Sequence, residues 1–124
     1  MYTLATNVII AYYRRDLRVV PVLREILRDP TGSMYVSTIT EAELFSFANL
    51  SEEEKDVIEA ILQSISLLPP ISQGTRSAGT LRATYGIKLA DAFIAATALF
   101  TGSTLLTSNV RDFKKVAFLQ LQAV

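Results

Sequence analysis

Short apolar runs alternate with longer stretches of helical period, and this alternation limits the folds open to the chain more than any other feature. Met1–Ala5, Met34–Ser37, Ile65–Leu68, Thr104–Thr107 and Ala117–Leu121 are four or five residues each, the length of strands in a small buried sheet. Between them, Asn7–Arg14, Val19–Arg28, Glu41–Asn49, Glu52–Gln63, Gln73–Tyr85 and Leu89–Thr101 read as helices. Asp29-Pro30-Thr31-Gly32 stops the second, and Gly102 closes the last as a C-terminal cap. Strands that alternate with helices need crossover connections, which predicts a three-layer α/β/α sandwich around a short, mostly parallel sheet. The 124 residues suit one domain spanning 1–124, with no repeat and no linker; Pro69-Pro70 reads as a loop.

The residue types that are missing narrow the chemistry. The chain has no cysteine, histidine or tryptophan, so thiolate zinc sites, disulfides, cysteine nucleophiles, histidine bases and histidine-ligated metals are all excluded. Catalysis would fall to carboxylates, lysine, tyrosine or hydroxyls, and any metal would be a hard, oxygen-liking ion. Twelve basic and twelve acidic side chains cancel, but by segment they separate: 14–28 is net +3, 41–59 is −6 and 76–115 is +4. That pattern suits a basic rim around an acidic site, and it also suits solvated helix faces. The longest mainly apolar run, Leu89–Phe100, is too short to span a bilayer and contains Asp91. The apolar run near the N-terminus is followed, not preceded, by arginines, the reverse of a signal peptide, so a cytoplasmic protein with no membrane role is expected.

In an open parallel sheet, ligands bind beyond the carboxyl ends of the strands. There the first strand runs into Ala5-Thr6-Asn7, the second into Thr40-Glu41-Ala42-Glu43, and the fourth into Ser108-Asn109, followed by Arg111-Asp112-Phe113. Asp91 opens the helix before that fourth strand, so Glu43, Asp91 and Asp112 can converge although they are distant in sequence. Converging carboxylates repel, and Mg²⁺ or Mn²⁺ would hold them together while activating water against a phosphodiester. Each acid also has a structural reading. Thr40-x-x-Glu43, Thr38-x-x-Glu41 and Ser51-x-x-Glu54 all match capping boxes, and Glu41 and Glu54 are given no catalytic role. Asp112 suits a loop acid paired with Arg111 or Lys115, whereas Asp91 sits among residues that should be buried, where an unpaired acid is costly.

Four blocks together resemble a known family. Leu4-Ala5-Thr6-Asn7-Val8-Ile9-Ile10-Ala11-Tyr12, Ser37-Thr38-Ile39-Thr40-Glu41-Ala42-Glu43-Leu44, Leu89-Ala90-Asp91-Ala92-Phe93-Ile94-Ala95-Ala96-Thr97-Ala98 and Leu106-Thr107-Ser108-Asn109-Val110-Arg111-Asp112-Phe113 look like the motifs of PIN-domain ribonucleases, VapC toxins of VapBC pairs above all. The likeness runs nearly end to end with the blocks in order. It implies a Mg²⁺- or Mn²⁺-dependent endoribonuclease toxin, a homodimer, inhibited by a VapB-like antitoxin in its active-site groove. Carried over, Glu43 matches the second acid and Asp91 the third, both metal ligands, and the fourth polar position falls on Asn109 or Asp112. The chain departs from the pattern at position 5, where Ala5 stands in place of the family's first metal-binding aspartate. A methyl group ligates nothing, so the resemblance implies an impaired or inactive nuclease whose surrounding block is intact. Arg14, Arg15, Asn7 and Lys114, with Arg18 and Lys115 nearby, are the expected RNA contacts. The alternative from another class is a non-catalytic PIN-fold module that docks a protein partner. A receiver-like domain shares the architecture, but the first strand ends without an acid pair and no lysine stands beside a proline in the last loop.

Overall fold

The structure is a computed structural model that describes residues 1–30, 32–68 and 72–124. Strands β1 (Tyr2–Leu4), β2 (Met34–Ser37), β3 (Ser66–Leu68), β4 (Thr104–Thr107) and β5 (Leu121–Ala123) form one sheet in the order β3-β2-β1-β4-β5, parallel throughout. The helices are α1 (Thr6–Tyr13), α2 (Val19–Arg28), α3 (Thr38–Leu44), α4 (Glu52–Gln63), α5 (Ser72–Tyr85), α6 (Leu89–Thr101) and α7 (Val110–Phe113). From β1 the chain winds outward through β2 to β3, then returns across the sheet to β4 and β5. Parallel crossovers are right-handed almost without exception, and two such directions from β1 call for helices on both faces. In one group α1 packs with α2, α3 and α4; in the other α5 packs on α6, and α6 lies against β1, β2 and β4. The predicted α/β/α sandwich is the fold found.

Burial explains why the strands read as unbroken apolar runs. Leu105 and Leu106 are adjacent in β4, point to opposite faces, and are both fully buried. One core gathers Leu4, Val8, Ile9, Leu23, Val36, Leu44, Ile58, Ile94 and Phe113, and a smaller one joins Ala78, Ile87, Ala92, Ala96 and Val116. At roughly 25 cal/mol per Å² of apolar area, these clusters are the main source of stability. Among the described residues no single helix is long and apolar enough to cross a membrane.

Several boundaries differ from the sequence reading, each for a local reason. The fifth strand begins only at Leu121, paired with Leu105, because Phe118 turns the chain at φ 65° and leaves its ring 97% exposed. The third helix begins at Thr38, not Glu41, and ends at Leu44, not Asn49; its cap is Ser37, whose hydroxyl accepts the Ile39 N–H at 3.1 Å. Thr40 is therefore inside the helix and fully buried, and neither Thr38-x-x-Glu41 nor Thr40-x-x-Glu43 makes a capping box. The Ser51–Glu54 box is formed reciprocally, as read. The short helix α7 had no periodic signal in four residues. Gly102 caps α6 at φ 64°, as expected, and the Pro69-Pro70 loop lies outside the described residues.

Candidate active site

The strand order reverses between β1 and β4, and there the crevice beyond the carboxyl ends of the strands opens. Ala5 occupies this point. It follows β1 directly, its N–H donates to the Leu106 carbonyl at 3.1 Å, and its side chain is 1% exposed. It is also the N-cap of α1, and no side chain caps that helix end.

Three acids lie on three elements that follow strands or lead into β4: Glu43 on α3, Asp91 in the first turn of α6 and Asp112 on α7. Burial pushes the Asp91 carboxyl above its ordinary range; the negative charge of Glu43 adds to this, Lys88 opposes it, and Asp112 raises it further. Glu43 and Asp112 are thus each electrostatic neighbours of Asp91. Their hydrogen bonding differs. Glu43 Oε1 accepts from Thr6 Oγ1 at 2.7 Å, and Asp112 Oδ2 accepts from Asn109 Nδ2 at 2.9 Å. Among the described residues, Asp91 has no hydrogen-bond partner for its carboxyl group.

Asn7 fastens the other wall. Its Nδ2 donates to Thr107 Oγ1 at 3.3 Å and its Oδ1 accepts the Ser108 N–H at 3.2 Å, while Thr107 Oγ1 also accepts the Asn109 N–H at 3.0 Å. Both ends of the Asn7 carboxamide are thus spent on the end of β4. Lys114 and Lys115 are exposed just after α7. Arg14 and Arg15 are exposed too, but α1 carries them about 12 Å from Thr6 at 1.5 Å per residue. Sequence reasoning missed Thr6, Thr40 and Thr107, the short hydroxyls that anchor the acids' surroundings. Their signal was available: small polar residues directly after apolar strand runs.

Among the described residues no three acids stand close enough together to hold a metal ion. The donors still fit one in kind. Mg²⁺ commonly takes only one or two carboxylates and keeps several waters, and Glu43 and Asp91 are hard oxygen donors whose mutual repulsion a cation would relieve. Apart from this crevice, a groove of about 440 Å³ is lined by Glu41, Phe45, Glu59, Leu62 and Gln63 of α3 and α4 and the residue after α3.

A parallel 3-2-1-4-5 sheet with acids over its switch point defines an open α/β domain with an acidic cleft. The chain belongs to the PIN-domain family, whose pattern residues 2–119 match. PIN domains of VapC toxins are generally nucleases that use divalent metals. Among solved structures, the chain is similar to one in VapBC2 from Rickettsia felis bound to a promoter DNA fragment, with 23% identity, TM-score 0.83, and 99% and 98% of the two chains covered. It is similar to one in VapBC-1 from nontypeable Haemophilus influenzae at 29% identity and TM-score 0.79, over 98% and 96% of the chains. It is also similar to one in FitAcB from Neisseria gonorrhoeae at 30% identity and TM-score 0.68, again over 98% and 96%. No curated protein matches the sequence.

Proposed function

We propose that the chain is the endoribonuclease toxin of a VapBC-type pair, in a form that Ala5 silences or cripples. The observation that supports this reading is that Glu43 and Asp112 both raise the Asp91 carboxyl through their charge, while Ala5 sits buried at the end of β1. Glu43 and Asp91 would hold Mg²⁺ or Mn²⁺, and when bound such an ion supplies charge neutralisation and an acidified water for phosphodiester hydrolysis. Asp112, tied down by Asn109, adds negative potential on the side of β4. The bond joins the two residues on which the fourth motif position can fall, Asn109 or Asp112.

The RNA contacts divide by distance. Lys114 and Lys115 stand near Asp112 and would meet phosphates beside the cut. Arg14 and Arg15, at the far end of α1, would meet phosphates several nucleotides away. With its carboxamide engaged at β4, Asn7 serves the substrate by shaping the crevice.

A VapB-like antitoxin is the partner this reading requires, and a homodimer its assembly, acting in the cytoplasm where its RNA substrate is. The antitoxin's inhibitory segment would meet Glu43 and Asp91 in the active-site groove, and the separate α3–α4 groove, with Leu62 and Phe45 for apolar contact and Glu41 and Glu59 for a basic side chain, would offer it a further contact. A second reading, a non-catalytic PIN module, is favoured by the buried methyl at position 5. An RNase assay of Ala5→Asp with Mg²⁺ or Mn²⁺, with and without EDTA, separates the two: cleavage restored supports the toxin, and a folded but inert variant supports the module.

A further inference from the structure

Glu43 reaches the crevice from a helix whose N-cap, Ser37, bonds elsewhere, so something other than its own helix must orient its carboxylate. The contact that does so comes from α1. Thr6 Oγ1 stands 2.7 Å from Glu43 Oε1 and 3.1 Å from Thr40 Oγ1. A carboxylate only accepts, so Thr6 donates to Glu43 in the shorter contact, and the same hydroxyl is turned towards Thr40 Oγ1 as the donor of the longer one. Thr40 is fully buried, one turn before Glu43 on the same helix, so the pair of hydroxyls is backed by the core and cannot swing away. Among the described residues, Glu43 Oε2 has no hydrogen-bond partner, which leaves it open to a ligand.

We infer that Thr6 is a positioning residue: its hydroxyl, backed by Thr40, holds the Glu43 carboxylate with one oxygen bound to protein and the other presented to the crevice. This rests on the metal-binding reading above. Thr6 sits directly after Ala5, so the residue that has lost the ligand and the residue that orients another ligand are chain neighbours. A hydrogen bond to a ligating carboxylate sets the direction of its lone pairs and limits the entropy lost when the cation arrives. Thr6 would touch neither metal nor RNA.

The test uses full-length Ala5→Asp protein, with Mn²⁺ alone as the probe, measured by titration calorimetry. Thr6→Val is nearly isosteric and removes only the proton donor; Thr6→Ser keeps it. Thr6→Val is expected to weaken Mn²⁺ binding by about 10-fold or more, the usual effect of losing a partner of a metal ligand, and Thr6→Ser to recover it. Thermal melts of the same proteins report stability separately. If Thr6→Val melts lower but binds Mn²⁺ as tightly as its Ala5→Asp parent, Thr6 is only structural and the inference is overturned. If that parent, folded, binds no Mn²⁺, the metal-binding reading fails and takes the inference with it.

Discussion

Asn109 Nδ2 donates to Asp112 Oδ2 across 2.9 Å, so two residues three apart in sequence form one locked unit at the end of β4. A charge-assisted bond of this kind contributes about 1.5 kcal/mol when partly buried. Asn109→Ala and Asp112→Ala should each lower stability in urea unfolding, and the double variant should cost clearly less than the two added together. Additive losses would mean that the two side chains do not interact in solution.

The cap of α3 offers a direct check on where that helix starts. Ser37→Ala removes the acceptor for the Ile39 N–H and should cost about 1 kcal/mol, whereas Thr38→Ala should change little. A capping box of Thr38 and Glu41 predicts the opposite ranking, and one of Thr40 and Glu43 predicts little change from either variant, so thermal melts of the two decide among the three.

Those boxes show where the sequence was legible and where it was not. The sheet was legible because residues such as Leu105 and Leu106 are buried on both faces and leave an unbroken apolar run. The candidate acids stood out because Asp91 lies in an apolar helix and the others follow strand ends. Helix α3 was misplaced because several Ser and Thr residues compete for the cap, and only the register of β2 with β3, which ends at Ser37, picks one. The bonds from Thr6 and Asn7 join residues 34 or more apart, a pairing that no local pattern encodes.

Asp91 carries a pH signature. Burial and the charges of Glu43 and Asp112 raise its carboxyl above the ordinary value of 3.8. The folded chain therefore binds the proton more tightly than the unfolded chain. The stability this contributes is fully present below pH 3.8 and is lost as pH rises through the raised native value. Metal-free Asp91→Asn should accordingly be more stable than the parent at pH 7, by roughly 1 kcal/mol or less because the group is partly exposed to solvent, and the gain should vanish towards pH 3.8. Melting curves across this range test it, and a gain that persists at low pH would point to a cause other than charge.

Arg15 ends α1 in a left-handed conformation with φ 62°. Around it, the Arg15 N–H donates to the Tyr12 carbonyl and the Asp16 N–H to the Ala11 carbonyl, the paired bonds of a Schellman cap, in which glycine is the usual residue. Arg15→Gly should stabilise the fold by about 1 kcal/mol. If Arg15 also meets RNA, the same variant in the Ala5→Asp background should bind RNA less tightly, with a shallower dependence on salt. Unchanged affinity and slope would remove Arg15 from the proposed contacts.

The most direct measurement is RNA cleavage by Ala5→Asp. Position 5 is the uncapped N-cap of α1 and borders the acidic crevice, so an aspartate there can both cap the helix and complete the set of acids. The purified variant is expected to cut RNA with Mg²⁺ or Mn²⁺ at least ~100-fold faster than the parent chain, a barrier difference of about 2.7 kcal/mol, and to stop on addition of EDTA. A folded Ala5→Asp protein that cuts none of a broad set of RNAs with either metal would contradict the account.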